Sequence, residues 1–292
     1  MANSITKFKK YIDKLDEVYK QASLTADLDG DTSLVKAGAN ANEIVIPKMS
    51  LDGLADYSRN GGYVSGDVTL TNETVQFNYD RGRKFGVDAM DNEETAGVAF
   101  GKLASEFIRT KVVPEQDAFR FATYAGISGI STTTGAALST GADVISALRT
   151  ATSTMDEDEV PYENRILYIT PTLLGLVEDL DTSKSREVLG RFSKIVRVPQ
   201  TRFYTAIDLL DGTSSGETGG GYVKDATNGK DINFLVVQKD AVMQYPKHTV
   251  NKVITPEANQ ESDKWLFFFR SYGLADVYEN KVAGIYLHKS NS

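Results

Sequence analysis

The side chains that most often carry catalysis or bind metal ions are sparse in this sequence. The chain has two histidines, His248 and His288, and no cysteine. The histidines do not stand in a metal-ligand spacing, and no G-x-S-x-G segment marks a nucleophile. The lack of cysteine excludes disulfides and thiolate metal sites, and it suits a protein made in a reducing cytoplasm. We therefore expect a structural or surface role for both histidines and no catalytic centre.

Two further segments have the outline of a binding loop but lack a decisive residue. Asp27, Asp29 and Asp31 are spaced like calcium ligands, yet Gly38 stands where such a loop needs its bidentate glutamate. The glycine-rich stretch 212–221 lacks the Gly-Lys-Ser/Thr sequence that a phosphate-binding loop requires. The sequence predicts a solvated turn at the first segment, a flexible surface loop at the second, and no metal ion or cofactor.

Aromatic side chains cluster at Phe267, Phe268, Phe269 and Tyr272. Such a cluster could stack on nucleic-acid bases, because every base has a face on which an aromatic ring can lie. Few cations stand nearby in the sequence, so packing in a protein core is the better account.

The composition is that of an ordinary globular protein with an acidic balance. A chain of 292 residues predicts one large domain with lobes, or two subdomains. Hydrophobic residues make up 41% and charged residues 25%. No apolar run is long enough to cross a bilayer, and the first residues lack the apolar core of a secretory signal. The formal net charge of −8 disfavours general nucleic-acid binding, although an acidic wall could still enclose DNA without gripping it.

An amphipathic helix is the clearest element near the start of the chain. Over residues 4–22, apolar side chains recur at spacings that place them on one helical stripe. These residues are Ile5, Phe8, Ile12, Leu15, Tyr19 and Ala22. Two roles fit the pattern: a terminal helix docked on its own domain, or an arm that grips a neighbouring subunit or a scaffold partner. The small and polar residues 23–43 predict an extended arm or linker.

Alternating apolar residues over 57–90 predict a long β-hairpin. Val68 and Leu70 fall on one strand, and Val75, Phe77 and Tyr79 fall on the other. The turn is expected at residues 71–73. An isolated two-stranded hairpin is marginal in water, so this one needs a surface to lie on. That surface is either its own sheet or a neighbouring subunit.

A long helix is predicted over residues 90–126. Asp91 and Glu94 match a capping box at its start, and Leu103 and Phe107 share one apolar face. Pro114 cannot continue the helical hydrogen bonding, so we expect a kink or a restart there.

The remainder of the chain predicts an α/β lobe and a strand-rich final third. A buried strand at Ile166–Ile169 leads directly into a helix, for which Thr170 and Pro171 supply the cap and the first residue. Further strands are predicted at Ile232–Val237, Lys252–Ile254, Trp265–Phe269 and Val282–Leu287.

The segment between the hairpin and the long helix has a distinctive order of residues. The stretch YDRGRKFGVDAMDNEET begins at Tyr79, and VVPEQDAFRFATYA begins at Val112. This order resembles the segment of tailed-bacteriophage major capsid proteins, especially from phages of Gram-positive hosts, that joins the extended loop (E-loop) to the spine helix. The layout of nearly the whole chain is similar to that family, whose Hong Kong ninety-seven fold is shared with encapsulin shells.

The resemblance implies an α+β fold, the phage major-capsid fold. Its parts are an N-terminal arm at 1–45, an extended β-hairpin (E-loop) at 46–90, the spine helix of the peripheral domain at 91–126, an axial α/β domain at 127–250, and return strands of the peripheral domain at 251–292. Residues 68–85 are the part of the E-loop that the resemblance places on an adjacent subunit.

The implied function is that of a virion capsid protein, and not of an enzyme. Assembled in the host bacterial cytoplasm, it forms pentamers and hexamers that close into an icosahedral shell around double-stranded DNA, without sequence-specific DNA binding and without a membrane. The expected partners are further copies of the chain, a separate scaffolding protein and a portal. The residues expected at contacts between subunits are Val68, Leu70, Phe77, Tyr79, Arg81, Arg83, Ile5, Phe8, Ile12 and Leu15. Arg81 and Arg83 are either partners in ion pairs between subunits or ordinary surface cations.

Two departures from the family narrow these expectations. Some members weld subunits through an isopeptide bond from an E-loop lysine, but here the tip has no lysine and Lys84 lies at the base. Covalent cross-linking is therefore not expected. Few residues precede the E-loop, which favours a separate scaffolding protein over a cleaved N-terminal scaffolding segment.

Three other functions stay open at this point. An encapsulin-like compartment would share the fold but hold cargo proteins. An enzyme of hydrolase type would need a concave pocket with strongly perturbed carboxylates. An adhesive or receptor-binding module would remain a trimer or a monomer.

Overall fold

Four β-sheets and a long helix organise the part of the chain that the computed structural model describes, namely residues 20–30, 43–94, 102–135 and 138–291. The strands are β1 Glu43–Leu51, β2 Val68–Gln76, β3 Tyr79–Asp88, β4 Ser131–Thr134, β5 Arg165–Ile169, β6 Lys194–Arg197, β7 Ile207–Leu210, β8 Gly221–Lys224, β9 Ile232–Gln238, β10 Val242–Ile254, β11 Lys264–Val277 and β12 Ile285–Lys289. The α-helices are α1 Ala89–Glu94, α2 Leu103–Phe107, α3 Val113–Gly126, α4 Gly141–Glu157, α5 Pro171–Glu178 and α6 Ser183–Leu189.

The β-hairpin is built from β1 and β2, which form a sheet of their own. The strands are antiparallel, with Glu43 opposite Gln76 and Leu51 opposite Val68. The predicted turn at 71–73 is wrong, because these residues lie inside β2 and the turn spans 52–67. Alternation of apolar and polar residues indicates which face of a sheet a residue lies on, but not which strand pairs with which. The sequence therefore did not predict β1 as the partner of β2.

A three-stranded sheet in the order β10-β11-β3 lies beside the long helix. One face of this sheet carries Phe85, Phe267 and Phe269, and it packs against Phe107 of α2. The rings of Phe85 and Phe107 meet edge to face with centroids 4.7 Å apart, a favourable geometry for aromatic pairs. The predicted apolar face of the helix is confirmed at this residue.

The start of the helical region differs from the predicted capping box. Helix α1 begins at Ala89, and the Asp88 carboxylate accepts a hydrogen bond from the backbone N–H of Met90 at 3.1 Å. Asp91 therefore lies within the helix and does not cap it, so the capping-box prediction is wrong. An aspartate that starts a turn can satisfy backbone donors in the same way as a cap.

The long helix comprises α2, a π-helical turn at Ile108–Val112, and α3. Pro114 lies in the first turn of α3, so the predicted restart at this proline is confirmed. A π-helical turn holds more residues than an α-helical turn and rotates the face that follows it. Phe107 before the turn therefore faces the three-stranded sheet, whereas Phe121 and Tyr124 after it face a second core.

That second core belongs to a five-stranded sheet in the order β4-β12-β9-β5-β6, which confirms the predicted strands at 166–169 and 232–237. Along β5, Ile166 and Tyr168 pack with the long helix, while Leu167 and Ile169 pack with α4, α5 and α6. Alternate residues of a strand point to opposite faces, so β5 contributes side chains to the hydrophobic clusters on both sides of the sheet. The result is a sheet with helices on both sides.

The placement of β12 differs from the sequence-based division. This strand pairs in parallel with β4 and antiparallel with β9. Within the predicted range 251–292, β12 therefore lies in the five-stranded sheet and does not return to the peripheral strands β10 and β11. The domain boundaries themselves stay predictions.

Candidate assembly interface

The distal half of the hairpin presents an apolar patch to solvent. Met49 lies opposite Leu70, and Leu51 lies opposite Val68. Residues directly opposite in an antiparallel pair share a face, so these four side chains form one surface, here called the distal patch. Each is exposed, by 58% to 65%. The other face of the same ribbon carries lysine, serine and threonine, so the hairpin is amphipathic.

The loop that closes the hairpin, residues 52–67 (the tip loop), is also rich in exposed apolar side chains. Tyr57 and Tyr63 contact each other with ring centroids 4.9 Å apart, yet they are 61% and 90% exposed. Leu54 is fully exposed. Backbone hydrogen bonds between Ser58 and Gly62 hold the loop in a tight turn. The tip loop is therefore shaped by its own contacts and stands clear of the body.

The proximal half of the hairpin, in contrast, is docked on its own subunit. Ile44 lies opposite Val75, and both are buried against Met243 of β10 and Leu274 of β11. An ion pair between Lys48 and Glu279 ties the middle of β1 to the residues after β11. The hairpin is thus fixed at one end and uncovered at the other.

Carboxylates crowd together at the docked end. Burial and the neighbouring Glu279 raise the pKa of Glu73 in β2, and burial raises the pKa of Asp276 in β11. Lys48 acts in the opposite direction on Glu73. Both shifts favour the protonated carboxyl group in the folded protein.

This crowding predicts a pH-dependent effect of the substitution Glu73→Gln. A raised pKa gives a stability contribution that is complete below the unfolded pKa of about 4.3 and is lost as the pH rises through the folded value. Glutamine cannot ionise, so the variant should gain stability relative to the parent, by ~0.5 kcal/mol or less, between about pH 4 and pH 7. Urea unfolding across this range checks it, and a stability difference that does not change with pH would contradict it.

Arg81 connects three elements around the start of β3. Its Nε donates to Glu115 of α3 at 2.8 Å, and its Nη2 donates to the carbonyl oxygens of Leu210 and Gly221 at 2.8 and 3.2 Å. The hydroxyl of the buried Tyr79 donates to the same Glu115 carboxylate at 3.2 Å. These bonds join β3, the long helix and the β7–β8 hairpin within one chain.

Arg83 organises the glycine-rich loop at 212–221. Its Nη2 donates to the carbonyl oxygen of Thr218 at 3.0 Å. At Gly212, φ is +76°, a left-handed backbone conformation that favours glycine. The segment predicted to be a flexible surface loop is therefore hydrogen-bonded to β3.

A buried polar cluster holds the segment before residue 30 against the long helix. The Asp117 carboxylate accepts hydrogen bonds from Ser23, Leu24 and Thr25 at 2.8 to 3.3 Å. It also pairs with Arg202 at 2.9 Å, and the side chains of the pair are 0% and 3% exposed. We call Asp117, Arg202 and the residues 21–25 that they bind the N-terminal clasp. The turn predicted to be solvated is in part buried, since Leu28 is 2% exposed.

The two histidines lie in different strands, His248 in β10 and His288 in β12. His288 is buried, with Asn233 3.0 Å from its Nδ1 and the ring of Phe234 stacked on it, and burial lowers its pKa. Across the described ranges, no group of three or more His, Cys, Asp or Glu residues is arranged to hold a metal ion. None of the helices placed in the structure is long and apolar enough to span a membrane.

The chain is similar to known proteins in its structure but not detectably in its sequence. No family model matches the chain, and no curated protein matches it at a significant level. Solved structures match it over nearly its whole length. A chain from Mycobacterium phage Che8 has a TM-score of 0.67 at 14% identity, covering 98% of this chain and 97% of that chain. The bacteriophage PhiM1 mature capsid gives 0.65 at 11% identity, covering 98% and 93%. A virus-like particle from Pyrococcus furiosus gives 0.53 at 10% identity, covering 91% and 95%.

The chain has the phage capsid fold. The fold class expected from the resemblance is therefore confirmed, and the assignment of the β1–β2 hairpin as its E-loop stays a prediction. Val68 and Leu70 of the predicted contact set lie in the distal patch and are exposed. The predicted contact residues Ile5, Phe8, Ile12 and Leu15 lie outside the described residues.

The other four predicted contact residues are engaged within the chain. Phe77 is half-buried, 5.1 Å from the ring of Tyr272. Tyr79 is buried, and Arg81 and Arg83 have the bonds given above. Whether any of them also touches a neighbouring subunit stays a prediction.

Sequence reasoning missed half of the distal patch. Met49 and Leu51 alternate with Lys48 and Ser50 in β1, so the signal of a half-exposed strand was present. It was overlooked because the start of β1 was assigned to the N-terminal arm. Pro47 in the middle of the strand also weakens its β-strand pattern.

Proposed function

We propose that this chain is the major capsid protein of a tailed bacteriophage, forming pentamers and hexamers that close into an icosahedral head around double-stranded DNA. The observation that supports it most directly is the distal patch, an amphipathic ribbon uncovered in a single subunit of a phage capsid fold. Exposed apolar surface of this kind marks a site of association. Its role is structural and not catalytic, in the virion, after assembly in the host cytoplasm.

The proposed contact explains why a marginal hairpin can be retained. Two strands alone bury too little surface to be stable in water, so the E-loop gains its cover from a neighbouring copy. Each subunit then places its hairpin on one neighbour and receives the hairpin of another. This is a head-to-tail contact, which can close into rings. Contacts that are weak singly add up in a closed shell, because each bond raises the effective concentration for the next. A separate scaffolding protein and a portal are proposed to guide this closure.

The test is negative-stain microscopy of the purified protein across a concentration series, with light-scattering mass measured alongside. Closed shells, tubes or rings of five or six subunits support the proposal. A strict monomer at every concentration, both alone and with a scaffolding protein from the same source, contradicts it. A cargo-holding compartment is the second candidate, since a virus-like particle shares the fold, and protein cargo in place of DNA inside particles from the native source would favour it.

The distal patch gives a direct prediction for assembly. Replacing Val68 and Leu70 with serine should raise the protein concentration needed for assembly by about tenfold or more, because each apolar side chain contributes roughly 1.5–3 kcal/mol when buried. The unfolding free energy of the subunit should change little, since both side chains are exposed. The matched control replaces Thr69 and Thr71, on the other face, with serine. Equal effects of the two double variants would contradict the prediction.

A further inference from the structure

Asparagine followed by glycine occurs twice in the sequence, at Asn60-Gly61 and at Asn228-Gly229. Such a pair is open to an internal reaction, because glycine has no side chain to hinder attack by its backbone nitrogen on the asparagine amide. Each pair lies in a turn, the first in the tip loop and the second between β8 and β9. The surroundings of the two pairs differ in ways that decide which of them can react.

Both reacting groups are restrained at Asn228-Gly229. The Asp225 carboxylate accepts hydrogen bonds from the backbone N–H and the side-chain amide of Asn228, at 2.8 and 3.3 Å. Gly229 is buried, and its N–H donates to the carbonyl oxygen of Asp225 at 3.0 Å. A Cβ at Gly229 would lie 2.4 Å from that same oxygen, so packing requires a glycine at this position.

The pair in the tip loop is exposed at both residues. Among the residues that the structure describes, the side-chain amide of Asn60 has no hydrogen-bond partner. The N–H of Gly61 donates to the Ser58 hydroxyl at 3.1 Å, and two backbone hydrogen bonds between Ser58 and Gly62 close the turn. A turn held by a few hydrogen bonds at the surface opens readily, so the Gly61 nitrogen and the Asn60 amide can reach each other.

The structure does not require glycine at position 61. The left-handed residue of this turn is Gly62, where φ is +73°, and Gly61 does not share that conformation. A Cβ at Gly61 would lie 3.5 Å from the Ser58 Oγ, which is an ordinary van der Waals contact. Alanine therefore fits at position 61, and this substitution can separate the chemistry of the pair from the shape of the loop.

We propose that Asn60 is a site of spontaneous modification, at which the free subunit forms a succinimide. The backbone nitrogen of Gly61 attacks Cγ of Asn60 and forms a five-membered imide. The proton of that nitrogen leaves with the side-chain NH2 group as ammonia. Water then opens the imide at one of its two carbonyl groups, which yields aspartate or isoaspartate. The reaction needs water alone, and it does not depend on the proposed function.

Each product alters the tip loop. Both add a negative charge to a segment that already carries Asp52, Asp56 and Asp67 against a single arginine, Arg59. Isoaspartate also lengthens the backbone by one atom between Ser58 and Gly62, whose paired hydrogen bonds close the turn. An aged subunit is therefore expected to differ from a fresh one in the charge and the shape of its tip.

Mass spectrometry of the ageing protein tests the proposal. The purified chain is incubated in neutral buffer below its assembly concentration, sampled over time, and digested into peptides that separate Asn60 from Asn228. Replacement of an amide by a hydroxyl gives a resolved mass increase, and fragmentation distinguishes isoaspartate from aspartate. A parallel sample in urea removes the influence of the fold. The variant Gly61→Ala, verified as folded by circular dichroism, is treated in the same way.

In the folded protein, Asn60 should convert at a rate about tenfold or more above that of Asn228, because Asn228 reacts only after local opening. In urea the two rates should agree within about threefold, since the dipeptides are identical. Gly61→Ala should slow conversion at Asn60 by about tenfold or more and leave Asn228 unchanged, because the methyl group hinders the attacking nitrogen. Equal rates at the two sites in the folded protein would overturn the inference. So would an Asn60 that reacts in urea but stays intact in the folded protein, or a Gly61→Ala variant that reacts as fast as the parent.

Discussion

Replacing Asp117 with alanine should lower the free energy of unfolding by about 3–5 kcal/mol. The substitution leaves Arg202 as a buried charge without its partner, and the side chain of Arg202 is only 3% exposed. It also removes the acceptor for the backbone N–H groups of Leu24 and Thr25. Unpaired buried charges and unsatisfied buried donors are among the costliest single-residue defects. Urea unfolding of the unassembled subunit measures the loss.

The matched control for this prediction is an exposed ion pair. Asp181 and Arg186 pair on the surface, with side chains 76% and 71% exposed, so Asp181→Asn should cost at most about 1 kcal/mol. Hydrogen exchange separates local from global effects, because release of the N-terminal clasp predicts faster exchange at residues 24 and 25. A loss of under about 1 kcal/mol for Asp117→Ala would show that the clasp is not a stabilising element.

A second large loss of stability is expected from a substitution in the hydrophobic core between the long helix and the five-stranded sheet. Phe121 is fully buried and contacts Tyr168 and Phe203 edge to face, with ring centroids 5.1 and 5.0 Å apart. Phe121→Ala should lower the unfolding free energy by about 3–5 kcal/mol, because the loss of buried area is accompanied by a cavity that the rings around it cannot fill. Thermal unfolding of the subunit checks this value.

Phe268→Ala is the informative comparison for the same residue type. Phe268 is half-buried on the face of the three-stranded sheet opposite to Phe267 and Phe269, so its removal should cost the subunit clearly less stability than the removal of Phe121. Similar losses of stability for the two variants would mean that Phe268 belongs to the core.

Sequence alone predicted those parts of the fold that local patterns determine. The buried strand at 166–169, the helix that follows it and the restart at Pro114 all depend on neighbouring residues, and all three are confirmed. The partner of a strand depends instead on contacts between distant residues, which periodicity does not contain. Hence the turn of the hairpin was predicted at the wrong residues, and the pairing of β12 with β4 and β9 was not predicted.

The same limit applies to the candidate interface. Val68 and Leu70 could be chosen from alternation alone, and both are exposed in the distal patch. The partners of Arg81 within the chain could not be predicted, because Glu115, Leu210 and Gly221 are brought to it by the fold. The expectation of few cations near Phe268 is wrong for the same reason, because Lys84 and Lys252 flank this ring only when β3, β10 and β11 pair.

Among the residues that the structure describes, no third strand pairs with β1 or β2, so the hairpin has two open edges. Open edges recruit strands from other chains into fibres. Pro47 lies in the middle of β1, opposite Asn72 of β2. Proline has no backbone N–H to offer a third strand, and the charged Lys48 beside it further discourages edge-to-edge pairing. An unassembled subunit can thus keep an apolar face exposed for a partner while the β1 edge of the hairpin resists amyloid-like stacking. The hairpin that enables ordered growth of a shell therefore carries its own protection against disordered growth.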